Sequence, residues 1–305
     1  MKLMLRGAAL ICVGVLVLMA AARLRAQATQ AQSLSEMEVH LRYNQGQSIQ
    51  PIYEGWERNP DGSANMVFGY LNRNYVQEFT IPVGAQNGFD EAPADRGQPT
   101  YFYPRENHWL FKVTVPKDWP KTKELVWTVV ANGKTEKARG VLTDIMEVDR
   151  KVEAENNGGG AVNDDLLYKN QRPTIKMAST ARAQLDTALS LSADVTDDGI
   201  PPARERGRGA GGRGGDPSLR GAPPSPTNVP LPQAPRPPQG GGLSVLWIAY
   251  RAPAKVAFEP AGYIPVKDGK VATTAKFSQR GTYVLRAIAF DGMLRTMEDV
   301  TVTVN

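Results

Sequence analysis

Apolar and polar side chains alternate with a two-residue period through most of the chain beyond residue 39. Met66, Phe68 and Tyr70 fall on one face of an extended segment. Trp109, Phe111, Val113 and Val115 do so on a second, and Leu125, Trp127 and Val129 on a third. Further along, Leu189, Leu191, Ala193 and Val195 alternate, as do Val245, Trp247 and Ala249. Tyr283, Leu285, Ala287 and Ala289, then Val300, Val302 and Val304, continue the pattern, with short pieces at 174–177, at Val256 and Phe258, and before Phe277. A period of two is that of strands, and no long helical period competes with it. The spacing predicts six to eight short strands over 39–148 and seven over 173–305, hence two stacked-sheet modules in an all-β chain.

Turn chemistry agrees with that division. Asn59-Pro60-Asp61-Gly62 lies between Trp56 and Met66, where proline presets φ and glycine tolerates positive φ. Asn132-Gly133 predicts a tight hairpin joining Leu125–Ala131 to 134–142. Residues 149–172 are polar, contain Asn156-Asn157-Gly158-Gly159-Gly160, and read as a linker.

Composition adds the compartment. Lys2 and Arg6 precede sixteen uncharged residues from Gly7 to Ala22, with small residues at Ala20-Ala21-Ala22 and Ala26-Gln27-Ala28. The run has the length of a signal-peptide core and is short for a membrane span, so residues 1–28 read as an export signal. The flanking Arg23 and Arg25 leave an uncleaved anchor as the other reading. Cys12, within that signal, is the one cysteine, so the exported chain has no disulfide and no thiolate chemistry. Periplasm or cell surface is the expected location.

The formal charge of +5 is uneven. Residues 1–28 contribute four bases. The tract 200–242 carries six arginines against Glu205 and Asp216, or +4, which leaves about −3 elsewhere. A basic folded face for nucleic acid is not expected. That 43-residue tract also holds eleven prolines and ten glycines, a composition that predicts a disordered loop between the second and third strands of the second module. Arg206 to Gly215 reads like an RGG segment. Outside the cell it would at most touch anionic lipid or polysaccharide, and an inert insert is the simpler reading. Membrane contact is expected only through the signal or this loop.

Fifteen of the 23 aromatic residues lie between Tyr43 and Trp127. Most should fill a core that has no disulfide to support it. Three consecutive aromatics, Tyr101, Phe102 and Tyr103, cannot all face inward on a strand, so at least one should be exposed. Tyr101 and Tyr103, with Trp119 nearby, are the candidate ligand-contact surface.

Two resemblances follow from particular residues. Phe68-Gly69-Tyr70-Leu71-Asn72, Ile81-Pro82-Val83-Gly84 with Asn87, and residues 95–102 with Pro104 resemble a β-module of secreted bacterial proteins that runs FGYxN, VPVGxxN, DRGQPTxFxP. That resemblance implies a secreted or surface module and no active site. In the second module, residues 191–199, Trp247, residues 281–286, Ala289-Phe290-Asp291-Gly292 and residues 300–304 resemble PKD and cadherin-like domains of bacterial surface proteins. The likeness implies an immunoglobulin-like sandwich used for spacing, adhesion or interaction. It implies that Trp247 is a core tryptophan and that Tyr283 is a corner tyrosine bonding back to the chain. It also implies a calcium site at strand ends, for which Asp197, Asp198 and Asp291 are the candidates; turn chemistry explains Asp-Gly equally well.

Signatures of catalysis are thin. His40 and His108 are the two histidines, and no H-E-x-x-H, G-x-S-x-G or phosphate loop occurs. Glu54 and Glu57 could form a carboxylate pair, but two solvated charges beside a turn explain them as well. The reading is therefore an exported, non-catalytic binding, adhesion or spacer protein with two immunoglobulin-like β-sandwich domains, 39–148 and 173–305. No cofactor is expected apart from calcium. The expected partner is an envelope protein or glycan, and a carbohydrate-binding accessory or hydrolytic enzyme of the envelope is the alternative.

Overall fold

The computed structural model describes residues 43–159, 164–202 and 242–305. The export signal, the lead-in with His40, and nearly all of the tract 200–242 lie outside the described residues.

The first module is built from eight strands: β1 (Ile49–Arg58), β2 (Ala64–Asn72), β3 (Phe79–Thr80), β4 (Asn87–Phe89), β5 (Tyr101–Phe102), β6 (Arg105–Val115), β7 (Leu125–Ala131) and β8 (Lys134–Gly140). Sheets β1-β2-β6 and β4-β7-β8 face one another, and β3-β5 form a short third sheet. The inward positions read from alternation are buried at Met66, Phe68, Tyr70, Leu125, Trp127 and Val129. Trp127 is the centre, fully buried, with Phe68, Phe89, Phe102 and Phe111 around it at ring-centroid distances of 5.0 to 6.4 Å. Both expected turns form. The Asn59 N–H donates to the Ser63 carbonyl (2.9 Å), and Asn132 and Gly133 both adopt positive φ in the two-residue β7–β8 hairpin.

One alternation is broken. Trp109 does not share a face with Phe111. The β2–β6 register shifts between Phe68 and Tyr70, so His108, Trp109 and Leu110 stand opposite Gly69 alone. This bulge holds Trp109 at φ 54° and turns its indole onto Val67 and Val148, on the other side of the sheet.

The second module contains β9 (Thr174–Lys176), β10 (Thr180–Ala183), β11 (Leu189–Thr196), β12 (Ser244–Arg251), β13 (Val256–Glu259), β14 (Tyr263–Pro265), β15 (Lys270–Phe277), β16 (Gly281–Phe290) and β17 (Arg295–Val304). Sheet β10-β17-β16-β12-β14 packs on sheet β13-β15-β11-β9. The first expected strand is in fact two. After Lys176 the chain leaves β11 and continues as β10, parallel to β17 in the opposite sheet. Strand β14, the other addition, is short and lies on the edge of β12. Trp247 and Tyr283 are buried, and the Tyr283 hydroxyl donates to the Gln279 carbonyl (2.8 Å), so the corner tyrosine bonds back as the resemblance implies. The architecture is all-β: two immunoglobulin-like sandwiches, with the Pro/Gly/Arg tract placed between β11 and β12.

Between the modules, the described residues include two short α-helices, α1 (Arg150–Ala154), which runs on into a π-helical turn (Glu155–Gly159), and α2 (Asp164–Lys169). The Asp149 carboxylate caps α1 through the Val152 N–H (2.8 Å). Ala154 and Leu167 bury against Met293 and Leu294 in the β16–β17 turn. Arg172 pairs with the buried carboxylate of Glu153.

Candidate functional site

A dense set of polar contacts lies where the first module meets β12. That strand is buried along both faces. Val245, Trp247 and Ala249 point into their own sandwich, while Leu246, Ile248 and Tyr250 join the core of the first module together with Ile288. A register shift between Ala249 and Arg251 leaves Tyr250 as an extra residue. On the other edge of β12, β14 pairs only with Ser244, Val245 and Leu246, which leaves the backbone groups from Ala249 onward open there.

The stretch 95–103 takes up those groups. The Thr100 N–H donates to the Tyr250 carbonyl (3.1 Å), and the Ala252 N–H to Thr100 Oγ1 (3.1 Å). The Ala249 N–H donates to Tyr103 Oη (2.9 Å), and the Tyr250 hydroxyl to the Gly97 carbonyl. Arg251 donates from Nε to the Gln98 carbonyl (2.9 Å) and grips both oxygens of Asp95 (2.6 and 3.0 Å). That two-point pairing holds the Asp95 carboxyl below its ordinary value. A second tie is Arg286. Its guanidinium lies 3.5 Å from the Tyr250 ring centroid, binds both Asp299 oxygens (2.7 and 2.8 Å), and donates to the Leu110 carbonyl (2.5 Å).

The FGYxN, VPVGxxN and DRGQPTxFxP phrases supply the support for this clamp. Asn87 is fully buried and donates to the carbonyls of Ile81 (2.9 Å) and Pro99 (2.8 Å), while its Oδ1 accepts the Trp127 indole N–H (2.9 Å). Gln98, also fully buried, donates to the Ala94 carbonyl and accepts the Arg96 N–H (both 2.8 Å). The Tyr70 hydroxyl accepts the Tyr103 N–H (2.8 Å).

The exposed aromatic platform is therefore corrected. Tyr101 is 4% exposed and Phe102 is fully buried. Tyr103 is half-buried between the two cores. They all find cover because the second module supplies a wall that a free-standing sandwich would lack. The Tyr101 hydroxyl donates to Glu78, and burial pushes the Tyr101 and Tyr103 hydroxyls well above the ordinary phenol range. Trp119 is half-buried, under the Lys123 ammonium at 4.2 Å, with its indole N–H given to the Lys123 carbonyl (3.1 Å).

The three-carboxylate calcium cluster is corrected too. No group of three His, Cys, Asp or Glu side chains converges in metal-binding geometry among the described residues. Asp198 is exposed, with its two oxygens accepting the Gln171 N–H (2.7 Å) and the Ile200 N–H (2.9 Å). What does come together is Asp291 and Asn170, with Asp197 near enough for its charge to act on Asp291. Asp291 is 1% exposed; its Oδ1 accepts the Met293 and Leu294 N–H groups (2.6 and 2.7 Å), and its Oδ2 accepts the Asn170 amide (3.2 Å). Burial pushes the Asp291 carboxyl up to about 6, with the Asp197 charge adding to the shift. Asn170 Oδ1 and Asp197 Oδ1 are both buried and have no hydrogen-bond partner. Buried acceptors without donors are costly, and a hard, oxygen-seeking cation such as calcium is one kind of partner such oxygens accept. The signal for Asn170 was absent from the sequence pattern, since it sits in a polar segment with no motif.

His108 and Glu54 form the other linked pair. Glu54 is buried at the β6 bulge, where it accepts the Trp109 N–H and contacts His108 Nδ1 (2.5 Å). Glu106 lies 3.4 Å from His108 Nε2. Hydrogen bonding to Glu54 raises the His108 pKa above its ordinary value despite partial burial. Glu57 is paired with Lys112 (2.6 Å), so Glu54 and Glu57 are each held by their own partner.

No family model matches the chain. No curated protein matches it by sequence. Solved structures that it is similar to include an I-band fragment of titin, I67–I69 (8% identity, TM-score 0.21, covering 84% of this chain and 64% of that one). Domains 4 and 5 of the S-layer protein SbsC are similar at 9% identity (TM-score 0.23, 60% and 65% covered). The D00–D0 domains of intimin are similar at 11% (TM-score 0.23, 84% and 100% covered). At these scores the superpositions carry no weight of their own, and the assignment to immunoglobulin-like sandwiches rests on the sheets described above.

Proposed function

We propose that the chain is an exported, non-catalytic spacer and binding component of the periplasm or cell surface, with its two sandwiches joined as one stiff body. The observation that carries this reading is the double burial of β12: its outer face and open edge are occupied by the first module. A spacer needs a fixed reach, and a shared core with a hydrogen-bonded edge supplies one where a flexible tether would not. Distance measurement between spin labels tests it, using Lys117→Cys and Lys276→Cys on the exposed surface of the two modules with Cys12→Ser. One narrow distance distribution is expected. A broad one would remove the stiff-spacer reading.

We also propose that Asn170, Asp197 and Asp291 hold a calcium ion at the inner end of the second module. The two orphaned oxygens support it. Calcium should raise the melting temperature of the wild-type chain relative to chelator and leave Asp291→Asn unmoved. An identical melting temperature with and without calcium would sink the assignment.

A further inference from the structure

A groove opens on the second module where the first strand changes sheets. Strand β9 covers only Asp194, Val195 and Thr196 of β11 and then ends at Lys176. The chain turns away through Met177 and Ala178 to become β10 beside β17. Ser192 of β11 consequently has no strand on that side, and a cleft of roughly 670 Å³ remains, with Met177 and Ala178 as one wall and Ser192 and Ala272 along its floor. That volume falls within the roughly 300–1,000 Å³ of small-ligand clefts.

Charge is concentrated at one end. Lys176, Asp194 and Lys270 stand side by side on β9, β11 and β15, and Lys267 bridges to Lys270 across the turn. Asp194 is committed to Lys270 at 2.7 Å. Lys176 and Lys267 line the same groove and are exposed; Lys176 stands opposite Asp194 and its charge acts on that carboxylate, whose close ion pair is with Lys270. Among the lining residues three ammonium groups face one carboxylate, and with the exposed Asp268 of the same turn counted the end is still net positive, at +1. Beyond it the floor is made of small side chains, with one hydroxyl at Ser192.

We propose that this groove binds an acidic polysaccharide, with a carboxylate or sulfate held by Lys176 and Lys267. The flat, short-side-chain floor suits the C–H face of a sugar ring, and Ser192 supplies a hydroxyl partner. The site is concave and lies on a sheet face, which suits a chain laid along it better than insertion into a lipid surface. It goes beyond the spacer reading and stands or falls separately, because neither lysine takes part in the junction between modules.

Titration calorimetry on the whole chain tests it with alginate for carboxylate, dextran sulfate for sulfate and neutral dextran as control. Binding to one or both acidic polymers is expected, with none to dextran. Lys176→Gln combined with Lys267→Gln should weaken that binding by about tenfold or more. Lys276→Gln, an exposed lysine on β15 outside the groove, should not change it. The proposal is overturned if neither acidic polymer binds or if Lys276→Gln weakens binding equally. It is also overturned if the double variant binds like wild type, or if phosphatidylglycerol vesicles bind and the polysaccharides do not. Unchanged circular dichroism and melting temperature for the double variant would establish that any loss is local.

Discussion

Single residues carry large parts of the first module. Asn87 satisfies two carbonyls and the Trp127 indole from one fully buried amide. Asn87→Ala would strand all three groups away from water, so the expected loss is about 3 kcal/mol, read from the urea midpoint. A loss under a few tenths would mean the amide is replaceable by solvent. His108 offers a different readout. Its folded-state pKa is raised by Glu54, so the stabilisation is fully present below the unfolded value of about 6.5 and fades as pH rises through the folded value. Wild type should therefore lose melting temperature across that window relative to His108→Gln. Parallel pH curves for the two chains would dismiss the coupling.

At the scale of elements, a bulge and an open edge rather than regular strands place the functional groups. The β6 bulge exists because Gly69 has no side chain: a Cβ there would lie 2.5 Å from the Asn107 carbonyl oxygen and 2.8 Å from the Glu54 carboxylate. Backbone cannot yield at that distance, so Gly69→Ala should cost roughly 2 kcal/mol or more and dislodge Glu54 from Trp109, visible as a changed tryptophan spectrum. An unaltered spectrum and stability would contradict the register described. The edge of β12 beyond β14 is closed in part by Tyr103, whose oxygen accepts the Ala249 N–H. Tyr103→Phe leaves that amide without an acceptor, and a loss of about 1–3 kcal/mol is expected.

These same elements explain what the sequence could and could not reveal. Regular strands were legible because one face is dry and the other wet, as in β11, where buried and exposed residues alternate almost without fault. Trp109 escaped, since a bulge inverts the alternation without leaving a mark in composition. Tyr101 would be exposed on a free-standing first sandwich, and it is the second module that buries it. The correcting signal was present in β12: Leu246, Ile248 and Tyr250 fill the positions that alternation assigns to water, making an unbroken apolar run. Asn170 had no such signal, because an orphaned acceptor is a property of three segments brought together.

For the molecule as a whole, the shared core makes the two sandwiches thermodynamically inseparable. Wild type should melt in one calorimetric transition. Ile248→Lys, which puts a charge into the joint core, should split it into two. A wild type that already shows two transitions would rule out the coupling. The arrangement also bears on how the polypeptide matures. Leu246, Ile248 and Tyr250 join a core whose larger part is made earlier, so a C-terminal half produced alone would present a greasy sheet with a ragged border to its own copies. Such a fragment should clump, and adding the separately made N-terminal half should rescue its solubility.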